Sequence, residues 1–164
     1  MRTVVAAALT CLFAAPAAAQ ATDGDIYVQE GYVSNAWADP AKCNLGNARR
    51  MSLAEALRRV DADYGHCVAI PVYVGDHMLF ATRRQRALAR SEGGNARGGH
   101  IGFYAKDSVA RQVRRHPRTR FWVVGTLSEC RRAWPEAMVM GYCHYPAGPA
   151  PVLIVAEMRA MARP

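Results

Sequence analysis

The most regular alternation of apolar and polar positions lies between Gly99 and Met158. His100 to Ala105 (HIGFYA) sets Ile101, Phe103 and Ala105 on one side, the period of two that a half-buried strand needs. Asp107 then offers an N-cap oxygen, Val109 and Val113 stand four apart on one helical face, and Pro117 closes the segment after Arg114, Arg115 and His116. A short basic helix is predicted there. In RFWVVGTLSEC, the aromatic and β-branched run from Phe121 to Leu127 forms a strand core, with Gly125 as the site of a bend or bulge. Pro135 marks a turn, Met138 to Tyr145 (MVMGYCHY) returns as the second arm of a hairpin, PAGPAP is a loop, and Val152 to Met158 is the last apolar strand.

Upstream, Ser52-Leu53-Ala54-Glu55 is a capping box, and Leu53, Ala56, Leu57 and Val60 follow at i, i+3, i+4 and i+7. An amphipathic helix from Leu53 to about Asp61 is expected. His66 to Val74 reads as a mostly buried strand in which Pro71 argues for an edge or a bulge. Gly75-Asp76 turns the chain into a second strand, HMLFATR, and Gln85 to Arg90 either extends it or forms a helical turn. Ser91 to Gly99, with four glycines and no large apolar residue, is a loop. Residues 21–50 form an irregular N-terminal segment: Ile26 to Val33 suits a strand, but the stretch around Asp39-Pro40 and Asn44 to Asn47 is polar and rich in breakers.

Residues 1–20 have another character. Arg2 is a basic n-region, VVAAALTCLFAA is an apolar run too short for a stable span, and Ala17-Ala18-Ala19 before Gln20 suits a cleavage site. A cleaved secretory leader is expected; Cys11 in ALTC is a weaker lipidation candidate, because the apolar run before it is short and continues past it. Roughly 145 residues then remain, and residues 51–164 are expected to form a single domain. Cys43, Cys67, Cys130 and Cys143 are an even set in an oxidising, periplasmic or extracellular compartment. A hairpin turning near Trp134 to Ala137 would set Cys130 opposite Cys143, leaving Cys43 for Cys67, and each bridge is worth ~2–4 kcal/mol.

In order, these elements are a leading helix, two hairpin-connected strands, a third strand, a short helix, and a fourth and fifth strand. That order, with VVGTL in the strand before the last hairpin and VLIVAEM as the final strand, resembles an OB-fold from about Tyr64 to Met158. The resemblance implies a mainly β, α+β architecture: a five-stranded, partly open barrel with an amphipathic helix before it and a short helix between its third and fourth strands. A β-rich α+β sandwich is the alternative.

Charge adds a candidate chemistry. Twenty-one Lys and Arg stand against 13 Asp and Glu, a formal net charge of +8, which loss of Arg2 with the leader lowers by one. All the basic residues except Lys42 and Lys106 are arginine. Arg83, Arg84, Arg86, Arg90 and Arg97 flank the glycine loop, and Arg111, Arg114, Arg115, Arg118 and Arg120 lie on or just after the basic helix. In a barrel these sit on neighbouring connections and make one positive field. Guanidinium groups hold phosphate or carboxylate bidentately and stack on flat rings. Proteins of this fold often bind oligonucleotides or oligosaccharides on the barrel face, using aromatic platforms. Tyr73, Phe80, Phe103, Tyr104, Phe121 and Trp122 come from the relevant strands, and alternation leaves only one of each adjacent pair for a platform, with Trp122 the candidate kept. The expected partner is an anionic polymer or membrane surface, whether glycan, nucleic acid, lipid head group or acidic protein, with no particular small molecule. The competing account makes these aromatic side chains packing residues and the arginines a solvated surface.

Other chemistries find less support. His66-Cys67 and Cys143-His144 are mirrored dipeptides, but adjacent ligands on a strand point to opposite faces, and no CxxC or HExxH is present, so no metal or cofactor is expected. Ser34, Ser52, Ser91, Ser108 and Ser128 lack a nucleophile-elbow context, and nothing in the spacing of Asp76, Asp107, Glu129 and Glu136 marks a hydrolase. An exported, non-catalytic binding module is therefore expected, ahead of a cell-envelope structural protein and a secreted hydrolase or nuclease.

Overall fold

The computed structural model describes residues 27–29, 32–34, 37–91, 99–135, 138–139, 141–144 and 150–162; the expected leader, Arg97 and most of the glycine loop lie outside these. In chain order the elements are β1 (Tyr27–Gln29), β2 (Tyr32–Ser34), β3 (Arg49–Arg50), α1 (Leu53–Arg58), β4 (Cys67–Val74) and β5 (Met78–Phe80). They continue with α2 (Arg83–Ser91), β6 (His100–Tyr104), α3 (Asp107–Arg115), β7 (Phe121–Glu129), α4 (Cys130–Ala133), β8 (Met138–Val139), a 3₁₀ turn (Tyr142–His144) and β9 (Pro151–Ala160).

Five strands close into a barrel in the order β4, β5, β6, β9, β7 and back to β4, with β3 added outside β4. All neighbours in the ring are antiparallel except β6 and β9, which run parallel from Gly102↔Val152 to Tyr104↔Ile154. With α3 between the third and fourth strands of the ring, this is an OB-like architecture. The barrel is closed rather than partly open, because β4 and β7 pair continuously from Cys67↔Thr126 to Val72↔Phe121.

Alternation explains the interior. Val68, Ile70 and Val72 of β4, Leu79 of β5, Ile101 and Phe103 of β6, Phe121, Val123 and Leu127 of β7, and Leu153 and Val155 of β9 meet in one core. Removing each such side chain from water stabilises the fold by ~1.5–3 kcal/mol. Gly125 is the predicted bulge: the register shifts between Val124 and Gly125, and a Cβ there would run into the backbone of Ile154. Pro71 is tolerated because the β5-side border of β4 is taken by β3 at Val68 and Ala69 and by β5 at Tyr73 and Val74, so no ladder donor is missed between them.

Helices lie against the barrel. Ser52 Oγ accepts from the Glu55 N–H, and α1 sends Leu53 and Ala56 into the core. It ends at Arg58, earlier than Asp61, where the chain turns and the buried Asp63 takes hold of Arg59. α3 lacks the expected Asp107 cap: Lys106 occupies that position, and Asp107 pairs with Arg111 at 3.5 Å. Gln85 to Arg90 is helical, because Thr82 and Gln85 cap α2 reciprocally through Thr82 N–H to Gln85 Oε1 and Gln85 N–H to Thr82 Oγ1.

The expected hairpin return is absent. Among the described residues of that run only Met138 and Val139 form a strand, parallel to β2, and β7 is flanked antiparallel by β4 on one side and on the other by β9, from Phe121↔Ala160 to Glu129↔Pro151. Cys130 and Cys143 do bridge, but by a different geometry: Glu129 caps the single turn of α4, and the 3₁₀ turn comes back over it. Cys43 bridges Cys67. Two bridges fit a non-reducing, extracytoplasmic environment. No helix among the described residues is long and apolar enough to cross a membrane.

Candidate functional site

Two segments of the chain cover parts of the barrel's outer surface. The outer face of β6 and β9 lies under the segment closed by Cys130–Cys143, with Tyr104, Val152 and Ile154 packed against Cys130, Ala133 and Trp134; β6 also belongs to the face on which barrels of this kind commonly present ligand platforms. Tyr142 sits directly on Gly102, where a Cβ would enter its ring, and meets His100 edge-on at 5.8 Å. Tyr104 packs edge-on against Trp134 at 5.2 Å, and its oxygen accepts the Cys143 N–H at 3.0 Å. Burial raises the pKa of both tyrosines above the ordinary phenol value. Phe103 lies in the core and Phe80 is buried, so neither these two nor Tyr104 is the stacking platform that alternation allowed.

The second covering is residues 38–48, held by Cys43–Cys67 over Ala69, Val124 and Ala156. Ala38 N–H donates to Val155 O and Leu45 N–H to a Glu157 carboxylate oxygen. Among the described residues this covering reaches Trp122, which packs at its edge, and Pro71, Tyr73 and Trp122 are half-buried.

The predicted arginines fall into distinct settings. Arg83 and Arg84 are exposed on the first turn of α2. Arg86 reaches from α2 to the Pro117 carbonyl, bringing that helix against the connection between α3 and β7. Arg115 and Arg118 are exposed on the same connection. Arg120 turns back and donates through Nε and Nη2 to the Pro71 carbonyl at 3.3 and 3.1 Å. Arg111 pairs with Asp107 on an exposed face of α3, and of Arg114 only the helical backbone is described. Thus α2 and the α3–β7 connection touch, and β4 is tied to both.

Carboxylates are distributed unevenly around these cations. Near α1, Asp63 lies between Arg59 at 2.6 Å and Arg49 at 3.3 Å, Arg49 also meets Glu55, and Arg132 meets Asp61 at 2.9 Å. The hydrogen bond from Arg59, then the charges of Arg59 and Arg49 and a bond from His66, hold the Asp63 carboxyl below its ordinary value against desolvation; Arg59 is raised in return. Arg83, Arg84, Arg115 and Arg118 meet no carboxylate among the described residues.

Three residues that the sequence did not single out complete the surface. The guanidinium of Arg50 stands 5.5 Å over the Trp122 ring. Pro71, Trp122 and Arg159 are directly paired on β4, β7 and β9, and form one row across the sheet. Only the pairing of β7 with β4 and β9 reveals this row, and no local pattern encodes that pairing. Among the described residues no group of three His, Cys, Asp or Glu side chains is placed to hold a metal, and Cys67 and Cys143 are consumed in disulfides. Ser52 and Glu129 serve as helix caps. Comparison of the chain with protein-family models, curated proteins and solved structures returned no match.

Proposed function

We propose that this protein is an exported, non-catalytic binding module that takes an anionic partner on the surface formed by α2, the α3–β7 connection and the adjoining end of β4. The observation that carries this reading is that four exposed arginines without a carboxylate partner among the described residues gather on two segments that touch. Arg49, Arg59 and Arg132 near α1 are each engaged by carboxylates, whereas Arg83, Arg84, Arg115 and Arg118 have none among the described residues and stand on two connections that touch. A cation left without an internal counterion keeps its field for an external one. The coverings over the β6–β9 face and over Ala69, Val124 and Ala156 point the same way, since they leave less of the barrel wall for a ligand.

The test is retention of the mature protein on immobilised polyphosphate across a salt series. Binding should weaken as salt rises, with a slope that reports the number of anionic groups engaged. Replacing Arg83, Arg84, Arg115 and Arg118 by Gln should flatten that slope, and replacing Arg49 and Arg132 should leave it nearly unchanged. Equal loss from both sets would reduce the interaction to net charge and overturn the reading.

A further inference from the structure

Next to the arginine-bearing connections lies a stretch of barrel wall with a different chemistry. Outward-facing Pro71 and Trp122 pair across β4 and β7, Tyr73 follows Pro71 on the same side of β4, and Arg159 pairs with Trp122 on β9. The first three are half-buried, so part of each ring meets solvent. Three guanidinium groups frame them: Arg50 over the Trp122 ring, Arg120 bound to the Pro71 carbonyl, and Arg159 beside Glu157 at 3.6 Å. Among the described residues the wall is thus a half-buried apolar strip edged by cations, with Trp122 at the margin of the segment held by Cys43–Cys67.

We propose that this strip is a binding site for an acidic oligosaccharide of the uronate type. The proposal rests on the anionic-partner reading above and names its ligand class. A pyranose ring presents a face of C–H groups to an aromatic ring while its carboxylate projects from the edge, and the strip supplies both partners, rings in the middle and guanidinium groups around them; Arg50, which stands over Trp122 in the free protein, leaves the ring face to the sugar and turns to its carboxylate. Arginine suits that carboxylate because its fork donates to two oxygens at once. Single-stranded nucleic acid is favoured by successive stacking rings along a groove; here a proline separates the two aromatic side chains. The disulfides fit a compartment where glycans are the common polyanions.

The experiment is calorimetric titration of the mature, oxidised protein with an oligogalacturonate, a neutral maltooligosaccharide of equal length, oligo-dT and polyphosphate. Trp122→Leu should weaken oligogalacturonate binding about tenfold or more, the scale of one lost stacking contact, while leaving polyphosphate binding within about twofold. Arg50→Gln changes an exposed side chain, and should also weaken the uronate selectively even if Trp122→Leu perturbs packing. Tight polyphosphate binding with no response to oligogalacturonate, or a preference for oligo-dT that Trp122→Leu abolishes, would overturn the uronate assignment and leave the anionic-partner reading standing. Failure of every anion to bind would overturn both.

Discussion

Replacing Gly102 by Ala adds one methyl group on the outer face of β6, at a point where the chain has left no room for it. Gly102 pairs with Met78 on one side and Val152 on the other, so its backbone is held from both directions. The new Cβ would stand within the van der Waals envelope of three ring carbons of Tyr142, and the ring has to lift. As it lifts, its edge contact with His100 loosens, and so does the adjoining bond from Cys143 N–H to Tyr104 Oη. Overpacking of this kind costs about 1–3 kcal/mol, and the gain from replacing a strand glycine by alanine offsets about 0.5–1 kcal/mol of it. A net loss of about 1–2 kcal/mol is expected, or roughly 2–4 °C in Tm for each kcal/mol. In a Tyr142→Ala background the obstacle is gone, and the same substitution should be neutral or stabilising by about 0.5–1 kcal/mol. Urea unfolding of the four proteins with both disulfides oxidised gives the coupling directly, expected at about 1–3 kcal/mol. Gly102→Ala costing the same with and without the Tyr142 ring would refute the placement of that ring on the β6 face.

Two further outcomes test the other pole of the barrel. Leu53 is buried in the core and Leu57 only partly so; urea unfolding should therefore give about 2–5 kcal/mol for Leu53→Ala and a clearly smaller loss for Leu57→Ala, and reversed magnitudes would contradict the orientation of α1. The depressed pKa of Asp63 contributes stability that is present above the ordinary carboxylate value of 3.8 and is lost as pH falls through its lower folded value. Asp63→Asn should therefore remove part of the acid-side slope when Tm is followed downward from pH 6, and an unchanged slope would show that the Arg59 and Arg49 pairs do not couple to folding.

The barrel was legible in the chain because its strands obey alternation: Ile101 and Phe103, Phe121 and Val123, and Leu153 and Val155 each place two neighbours on the inner face. Element order then supplied the topology. What misled was Met138 to Tyr145, where an apolar run carries the composition of a strand but pairs only briefly, and with β2 outside the barrel ring. Among its described residues Tyr142 covers a wall, at Gly102, and period alone does not separate a covering segment from a ladder strand. The cysteine pairing was right for the wrong reason, since a bridge needs two Cβ atoms within reach and is indifferent to whether a hairpin or two helical turns bring them there. On the candidate surface, arginine clustering could be read directly, but the Pro71, Trp122 and Arg159 row joins three strands far apart in the chain and depends on register.

The two disulfides and the two covered faces belong to one physical arrangement. Each covering segment buries a small apolar cluster of its own, Cys43 with Ala69, Val124 and Ala156 in one, and Cys130 with Tyr104, Trp134 and Val152 in the other. Clusters of that size recover little of the entropy lost in ordering a turn-rich segment against a barrel. A bridge lowers that loss by restricting the unfolded chain, by ~2–4 kcal/mol each, so each covering is fastened at a cysteine within the cluster it closes. Fastening also divides the outer wall: its β6–β9 part is committed to Tyr142 and Trp134, while Pro71, Tyr73 and Trp122 stay half-buried beside α2 and the α3–β7 connection.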